Sequence, residues 1–176
     1  MHVDTHPMNG ADFTTALASF DGIMYLAYID PQLRGKIARK DLISGEITDA
    51  VVIDSVKLND NHTEVSIAVD NDGYIHYAGN MHGTPVRYWR SNSPNSIEDG
   101  FTFHGNNIED GGIEGVEATY LRFELDIYGN LYAVFRSTVR SSWVAGRQTG
   151  AIGRYDTFTQ TWTMLGDTVE HWGSNA

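Results

Sequence analysis

The feature that most constrains the fold is a turn-and-strand unit that recurs about every fifty residues. Three segments share it, namely Asp21–Tyr28, Asp72–Ala78 and Tyr128–Phe135. Each begins at a turn glycine and continues as an aromatic-rich strand, and the three glycines are 51 and 56 residues apart. A further alternating segment precedes each turn. A unit of this length has room for four short strands, which is the sequence signature of a β-propeller blade.

The remaining alternating segments complete three such blades of four antiparallel strands in an all-β chain. We expect the blades to cover residues 12–57, 62–104 and 118–166. Propellers typically close with four to eight blades, so three blades form only part of a ring. We therefore expect a partial propeller, either a fragment of a larger chain or one that associates with itself to cover its open edges.

Composition and charge exclude several classes of molecule as binding partners. The chain has a formal net charge of −11 and no cysteine. No apolar run approaches the ~20 residues that cross a membrane. We therefore expect no nucleic-acid partner, no membrane span and no thiolate metal site. The acidic segment 105–117 lacks the ligand spacing of an EF-hand and is interpreted as a solvated connection, and the N-terminus has no signal-peptide pattern.

Strand register predicts which side chains gather at one end of the blades. In an antiparallel hairpin, the positions of opposed residues have a constant sum. With each hairpin centred on its turn, His62 opposes His82 in the second blade and Tyr120 opposes Arg136 in the third. Both pairs lie at the open ends of adjacent hairpins, and therefore on one rim of the ring near its axis. Two histidines, a tyrosine and an arginine within reach of one another are a plausible acid–base set.

The same segments resemble a known family. Asp60–His76 followed by Gly79–Ser91, and Thr119–Phe123 followed by Gly129–Ser137, are similar to the BNR-repeat propellers that include ulvan lyases. The spacing is specific, with 20 residues from His to His and 16 from Tyr to Arg, and the resemblance covers roughly residues 12–170. It implies a seven-bladed propeller that cleaves uronic-acid polysaccharides by β-elimination in an extracellular or periplasmic location.

The resemblance also implies roles for individual residues. His62 and Tyr120 would be the catalytic base and acid, in that order or exchanged. Arg136, helped by His82, would neutralise the uronate carboxylate and stabilise the enolate-like intermediate. Asn61, beside the catalytic histidine, is expected to contact the substrate. No cofactor is expected for catalysis, and the presence of a structural metal ion stays open.

Two other functions remain open on the sequence alone. A glycoside hydrolase of the same propeller group would release a sugar such as rhamnose from glucuronate, but the paired carboxylates of most glycosidases are not evident. A non-catalytic propeller would bind glycans or proteins, with the four residues serving as turn caps, strand aromatics or ion-pair partners. The leading hypothesis is a polysaccharide lyase acting on an acidic, ulvan-like polymer, and three blades alone could lack activity.

Overall fold

The computed structural model describes residues 16–55, 62–105, 107, 110–113, 117–138 and 148–167. The regular elements within these ranges are thirteen β-strands. In chain order they are β1 Leu17–Phe20, β2 Ile23–Ile29, β3 Arg34–Asp41, β4 Val51–Ser55, β5 Val65–Val69, β6 Ile75–Gly79, β7 His82–Pro85, β8 Tyr88–Ser91, β9 Phe101–Phe103, β10 Glu117–Leu125, β11 Leu131–Thr138, β12 Gln148–Asp156 and β13 Thr161–Asp167.

The strands form three antiparallel sheets that follow one another along the chain. The first sheet has the order β1-β2-β3-β4 and the second the order β5-β6-β8-β9. The third has the order β13-β12-β11-β10-β7, so β7 leaves the second sheet and joins the third as a fifth strand. These sheets confirm the predicted all-β fold of propeller blades. The sequence pattern does not predict β7, because a His-Gly-Thr-Pro segment has no alternation of apolar and polar residues.

Equivalent aspartate turns set the register of the innermost hairpin in the second sheet and in the third sheet. The Asp70 carboxylate accepts hydrogen bonds from the backbone N–H of Asp72 at 3.0 Å and of Tyr74 at 2.9 Å. Asp126 accepts the same two bonds in the third sheet, at 2.8 and 2.9 Å. The glycine in each turn has a φ of 85° or 79°, which glycine adopts without a Cβ clash. Side chain and backbone therefore hold each turn in a single geometry.

The predicted register is confirmed in the parts of these hairpins next to the turns. β5 pairs with β6 in that register along its whole length. β10 pairs with β11 in it from Arg122 to Leu125. Toward their open ends, both hairpins depart from the prediction. These departures determine the geometry of the candidate site described below.

Apolar cores fill the two spaces between adjacent sheets. The core between the first and second sheets includes the fully buried side chains Tyr25, Ile37, Ile67 and Tyr77. In the core between the second and third sheets, the Trp162 ring lies 5.8 Å from Tyr88 and 5.9 Å from Phe123. Full burial of one apolar side chain contributes about 1.5–3 kcal/mol. Each sheet is therefore stabilised chiefly by its neighbour, as in stacked blades.

A histidine is enclosed in the second of these cores. His76 is fully buried, with Nε2 3.0 Å from Asp70 Oδ2 and Nδ1 2.7 Å from the Tyr88 hydroxyl. Burial lowers the pKa of His76 below its ordinary value, while the Asp70 carboxylate acts in the opposite direction and Arg90 adds to the lowering. His76 therefore contacts other core side chains and acts as a structural residue.

We expect the free energy of unfolding to fall as the pH drops below about 6.5, the reference pKa of histidine. His76 binds a proton in the unfolded chain at that pH, whereas its lowered pKa keeps it neutral in the fold, so protons favour the unfolded state. Denaturant unfolding between about pH 8 and pH 5 measures the slope of the free energy of unfolding against pH. The slope should shrink in His76→Gln, and less so in His104→Gln, whose partly exposed ring also has a lowered pKa through burial. An unchanged slope in His76→Gln would contradict this assignment.

Candidate functional site

The segment between β6 and β8 carries His82 out of the second sheet. β6 ends at Gly79, Asn80 adopts a φ of 60°, and the chain crosses to the third sheet as β7. His82 there pairs with Thr119 of β10. The prediction that His62 and His82 are directly opposed in one hairpin is therefore wrong. The left-handed conformation of Asn80 turns the strand away from β5 before His82 can pair with His62.

The two histidines nevertheless meet face to face. The His62 and His82 rings are stacked, with their centroids 4.3 Å apart and their planes 20° from parallel. Both side chains are partly buried. The stack fixes the planes of the two rings and so limits the directions in which their nitrogens can donate or accept hydrogen bonds.

Tyr120 occupies a β-bulge in β10. The register changes between Arg122, which pairs with Val134, and Thr119, which pairs with Arg136, so β10 accommodates one extra residue. Tyr120 has a φ of 58°. A residue with a Cβ loses roughly 1–2 kcal/mol in this left-handed region. The prediction that Tyr120 lies directly opposite Arg136 is therefore wrong, because the bulge shifts the register by one residue and places Thr119 opposite Arg136.

The Tyr120 ring contacts both the histidine stack and the arginine. Its centroid lies 5.8 Å from that of His62, with the planes tilted by 45°. The guanidinium carbon of Arg136 lies 4.8 Å from the Tyr120 ring centroid, within the range of a cation–π interaction. The structure thus brings the four predicted side chains into contact. We refer to His62, His82, Tyr120 and Arg136 as the His–Tyr–Arg cluster.

Arg136 has an enclosed donor in this cluster. Its side chain is partly buried, and its Nε is shielded from solvent without a hydrogen-bond partner among the described residues. Leaving a buried N–H without an acceptor costs about 1–3 kcal/mol, and more for a charged group. A guanidinium pairs with a carboxylate through two parallel hydrogen bonds, so Arg136 is the side chain of the cluster that suits an anionic ligand. The arrangement therefore suits recognition of a carboxylate.

Sequence reasoning does not single out Thr119, which links the two halves of the cluster. Thr119 is fully buried and pairs with Arg136 on one side and with His82 on the other. Its hydroxyl also accepts a hydrogen bond of 2.8 Å from the Gly83 N–H. The signal for this arrangement is Pro85 at the end of β7, because proline is typical of edge strands. Asn61, the other predicted substrate contact, lies outside the described residues.

Other features of the described residues lie apart from the cluster. A surface cavity of about 530 Å³ is lined by residues 102–105 together with Asn107 and Asp110, and none of the four clustered side chains lines it. In the described ranges, no group of three His, Asp or Glu side chains could hold a metal ion. No helix in those ranges is long and apolar enough to cross a membrane.

Three of the solved structures with a similar fold are of polysaccharide lyases. The structure of a PL25 ulvan lyase matches with a TM-score of 0.74 and 19% identity, over 94% of this chain and 39% of that one. A second ulvan lyase structure, bound to -[GlcA(1-4)Rha3S]-, gives 0.72 and 19%, over 93% and 40%. The polysaccharide lyase Uly1 gives 0.71 and 13%, over 93% and 43%. The chain shares their fold and spans about two fifths of their length.

The sequence itself also identifies a family. No curated protein sequence matches this chain. The model of a BNR repeat-containing family matches residues 23–176, which include both hairpins of the His–Tyr–Arg cluster. The resemblance inferred from the spacing of the motifs is therefore confirmed. The chain belongs to the BNR repeat-containing family.

Proposed function

We propose that this chain forms part of a polysaccharide lyase that cleaves an acidic, uronic-acid-containing polysaccharide such as ulvan by β-elimination. The observation that carries the proposal is the His–Tyr–Arg cluster, in which two histidines, a tyrosine and an arginine contact one another. Family membership and the fold shared with ulvan lyases support the substrate class. Since such polymers are met outside the cytoplasm, we include an extracellular or periplasmic location in the proposal.

Arg136 would neutralise the uronate carboxylate. The proton on the carbon next to a carboxylate is hard to remove while that group keeps its negative charge, because removal adds a second negative charge beside it. Two hydrogen bonds from the guanidinium, with one more from the His82 ring, would stabilise the enolate-like intermediate. The cation–π contact with Tyr120 limits the reorientation that the guanidinium needs on binding.

His62 and Tyr120 would supply the base and the acid. A neutral His62 takes the proton from the carbon next to the carboxylate, and the electron pair of that bond forms the new carbon–carbon double bond. The bond from the next carbon to the glycosidic oxygen breaks, and the Tyr120 hydroxyl donates its proton to the departing oxygen. The ring separation of 5.8 Å supports this assignment, because two groups this close could both contact one sugar. The exchanged assignment, with Tyr120 as base, applies to a sugar that presents its other face.

The proposal is tested by incubating the full-length protein with ulvan and other uronate polymers. Elimination should release oligosaccharides that end in an unsaturated uronate, which raises the ultraviolet absorbance. Carboxyl-reduced ulvan is the matched control, because its neutral sugars offer Arg136 no carboxylate and should give no rise. Absence of a rise with every uronate polymer would reject the lyase. New reducing ends without a chromophore would identify a hydrolase, and binding without turnover would identify a non-catalytic propeller.

A further inference from the structure

The segment that carries His82 is anchored at its tip and at its base. We call residues 80–87 the His82 arch. At the tip, the Gly83 N–H donates a hydrogen bond of 2.8 Å to the Thr119 hydroxyl in the third sheet. At the base, the Gly79 N–H donates a hydrogen bond of 3.3 Å to the backbone oxygen of Arg87, which closes the arch. The arch is therefore held by the third sheet, through the pairing of β7 with β10 and the Gly83 bond, and by the second sheet at its base.

A side chain of the first sheet also holds the base of the arch. In β4, Asp54 Oδ1 accepts a hydrogen bond of 2.7 Å from Arg87 Nη2, and Oδ2 accepts one of 3.3 Å from Arg87 Nε. Oδ2 also accepts a hydrogen bond of 3.4 Å from Asn80 Nδ2. The Asp54 side chain is only 8% exposed, so solvent screens this pair less than an ordinary surface ion pair. A single carboxylate thus contacts both the first and the last residue of the arch.

The backbone at the base of the arch is held in an unusual conformation. Asn80 has a φ of 60°, in the left-handed region that asparagine tolerates better than most residues. Its N–H donates a hydrogen bond of 3.2 Å to the backbone oxygen of Glu64. Arg87 is oriented further by the Trp89 ring, whose centroid lies 5.2 Å from the guanidinium carbon. Together with Asp54, these contacts set the angle at which the arch leaves the second sheet.

From these contacts we propose that Asp54 is a positioning residue that holds the His82 arch so that the His82 ring stacks on His62. The first sheet contributes none of the four clustered side chains, yet through Asp54 it fixes the location of one of them. The catalytic consequence rests on the proposed function, whereas the geometric consequence does not. A misplacement of about 1 Å in a catalytic site can cost on the order of 100-fold in rate.

The geometric part is tested by NMR on Asp54→Ala, with Asp49→Ala as the matched control. Asp49 is exposed in the connection before β4, so its replacement removes the same charge without touching the arch. In Asp54→Ala we expect weaker contacts between the His62 and His82 rings, and amide exchange of Gly83 faster by roughly 10-fold or more. The amide of Ala68, which lies in the β5–β6 ladder opposite His76, should exchange as in the parent protein, because β5 and β6 keep their pairing.

Two outcomes would overturn the proposal. Unchanged ring contacts and unchanged Gly83 exchange in Asp54→Ala would show that the arch does not need the carboxylate. An equal acceleration at Gly83 and Ala68 would show that Asp54 only stabilises the fold in general. If Asp54→Ala does not fold, Asp54→Asn gives the test, because the amide keeps the size of the side chain but loses the charge and one of the two oxygens that accept hydrogen bonds from Arg87.

Activity provides a separate measurement on the full-length protein. We expect Asp54→Ala to lower kcat on ulvan by about 10- to 100-fold with little change in KM, and Asp49→Ala to leave both unchanged. A parent-like kcat in Asp54→Ala would contradict the catalytic consequence. If the parent protein shows no elimination at all, the proposed function fails, and the NMR result still decides whether Asp54 positions the arch.

Discussion

Replacing Arg136 by lysine is expected to reduce kcat/KM for ulvan by about 100- to 1000-fold, the usual loss when a group that stabilises a developing oxyanion is removed. Lysine keeps the positive charge but has neither the planar fork nor an N–H at the position of Nε. That Nε is the buried donor without a partner among the described residues, and the guanidinium lies 4.8 Å from the Tyr120 ring centroid. The substitution therefore removes the paired hydrogen bonds to the uronate carboxylate and the contact that orients them.

Arg154→Lys is the matched control for this substitution. Arg154 is an exposed residue of β12 in the same sheet, and its Nη2 donates a long hydrogen bond of 3.4 Å to Asn130 Oδ1. We expect its kinetics on ulvan to equal those of the parent protein. Retention of kcat/KM within about 3-fold in Arg136→Lys would exclude a bidentate neutralising role and leave Arg136 as a packing partner of Tyr120.

The sheets could be predicted from the sequence because their signals are local. An aspartate that binds two backbone N–H groups, followed by a glycine with positive φ, determines a turn within five residues. The alternation of the flanking strands then determines which side chains face the core. The register of β5 with β6 follows from these two facts alone, and so does the placement of His62 near the open end of its hairpin.

The detailed geometry of the site could not be predicted, because it depends on residues that break local rules. Asn80 and Tyr120 both have positive φ although neither is glycine, and each redirects a strand where the alternating pattern predicts continuation. The pairing of β7 with β10 joins segments distant in the chain, and the local signal of Pro85 indicates an edge strand without indicating its partner. The four residues could therefore be named from spacing and resemblance. Their actual contacts require the bulge and the extra strand.

Tyr120→Phe is expected to lower kcat for ulvan by about 100- to 10,000-fold, the usual range for the loss of a general acid or base. Stability should stay within about 0.5 kcal/mol of the parent protein. Phenylalanine keeps the ring that contacts His62 and Arg136, and it has the same Cβ at the φ of 58°. Only the hydroxyl is lost. Tyr132→Phe in β11 is the matched control, because its hydroxyl makes only a 3.5 Å contact with Asp126 and should not affect turnover.

A synthetic substrate separates the two possible roles of the Tyr120 hydroxyl. A uronate that carries nitrophenolate in place of the departing sugar needs no proton on its leaving oxygen, because nitrophenolate departs as a stable anion. If Tyr120 is the acid, Tyr120→Phe should recover most of the parent rate on this substrate, whereas His62→Ala and Arg136→Lys should not. If Tyr120 is the base, His62→Ala should recover instead, because removal of the carbon-bound proton would still require the hydroxyl. Full activity of Tyr120→Phe on ulvan itself would exclude both roles, and the strained bulge would then serve only to place the ring against Arg136.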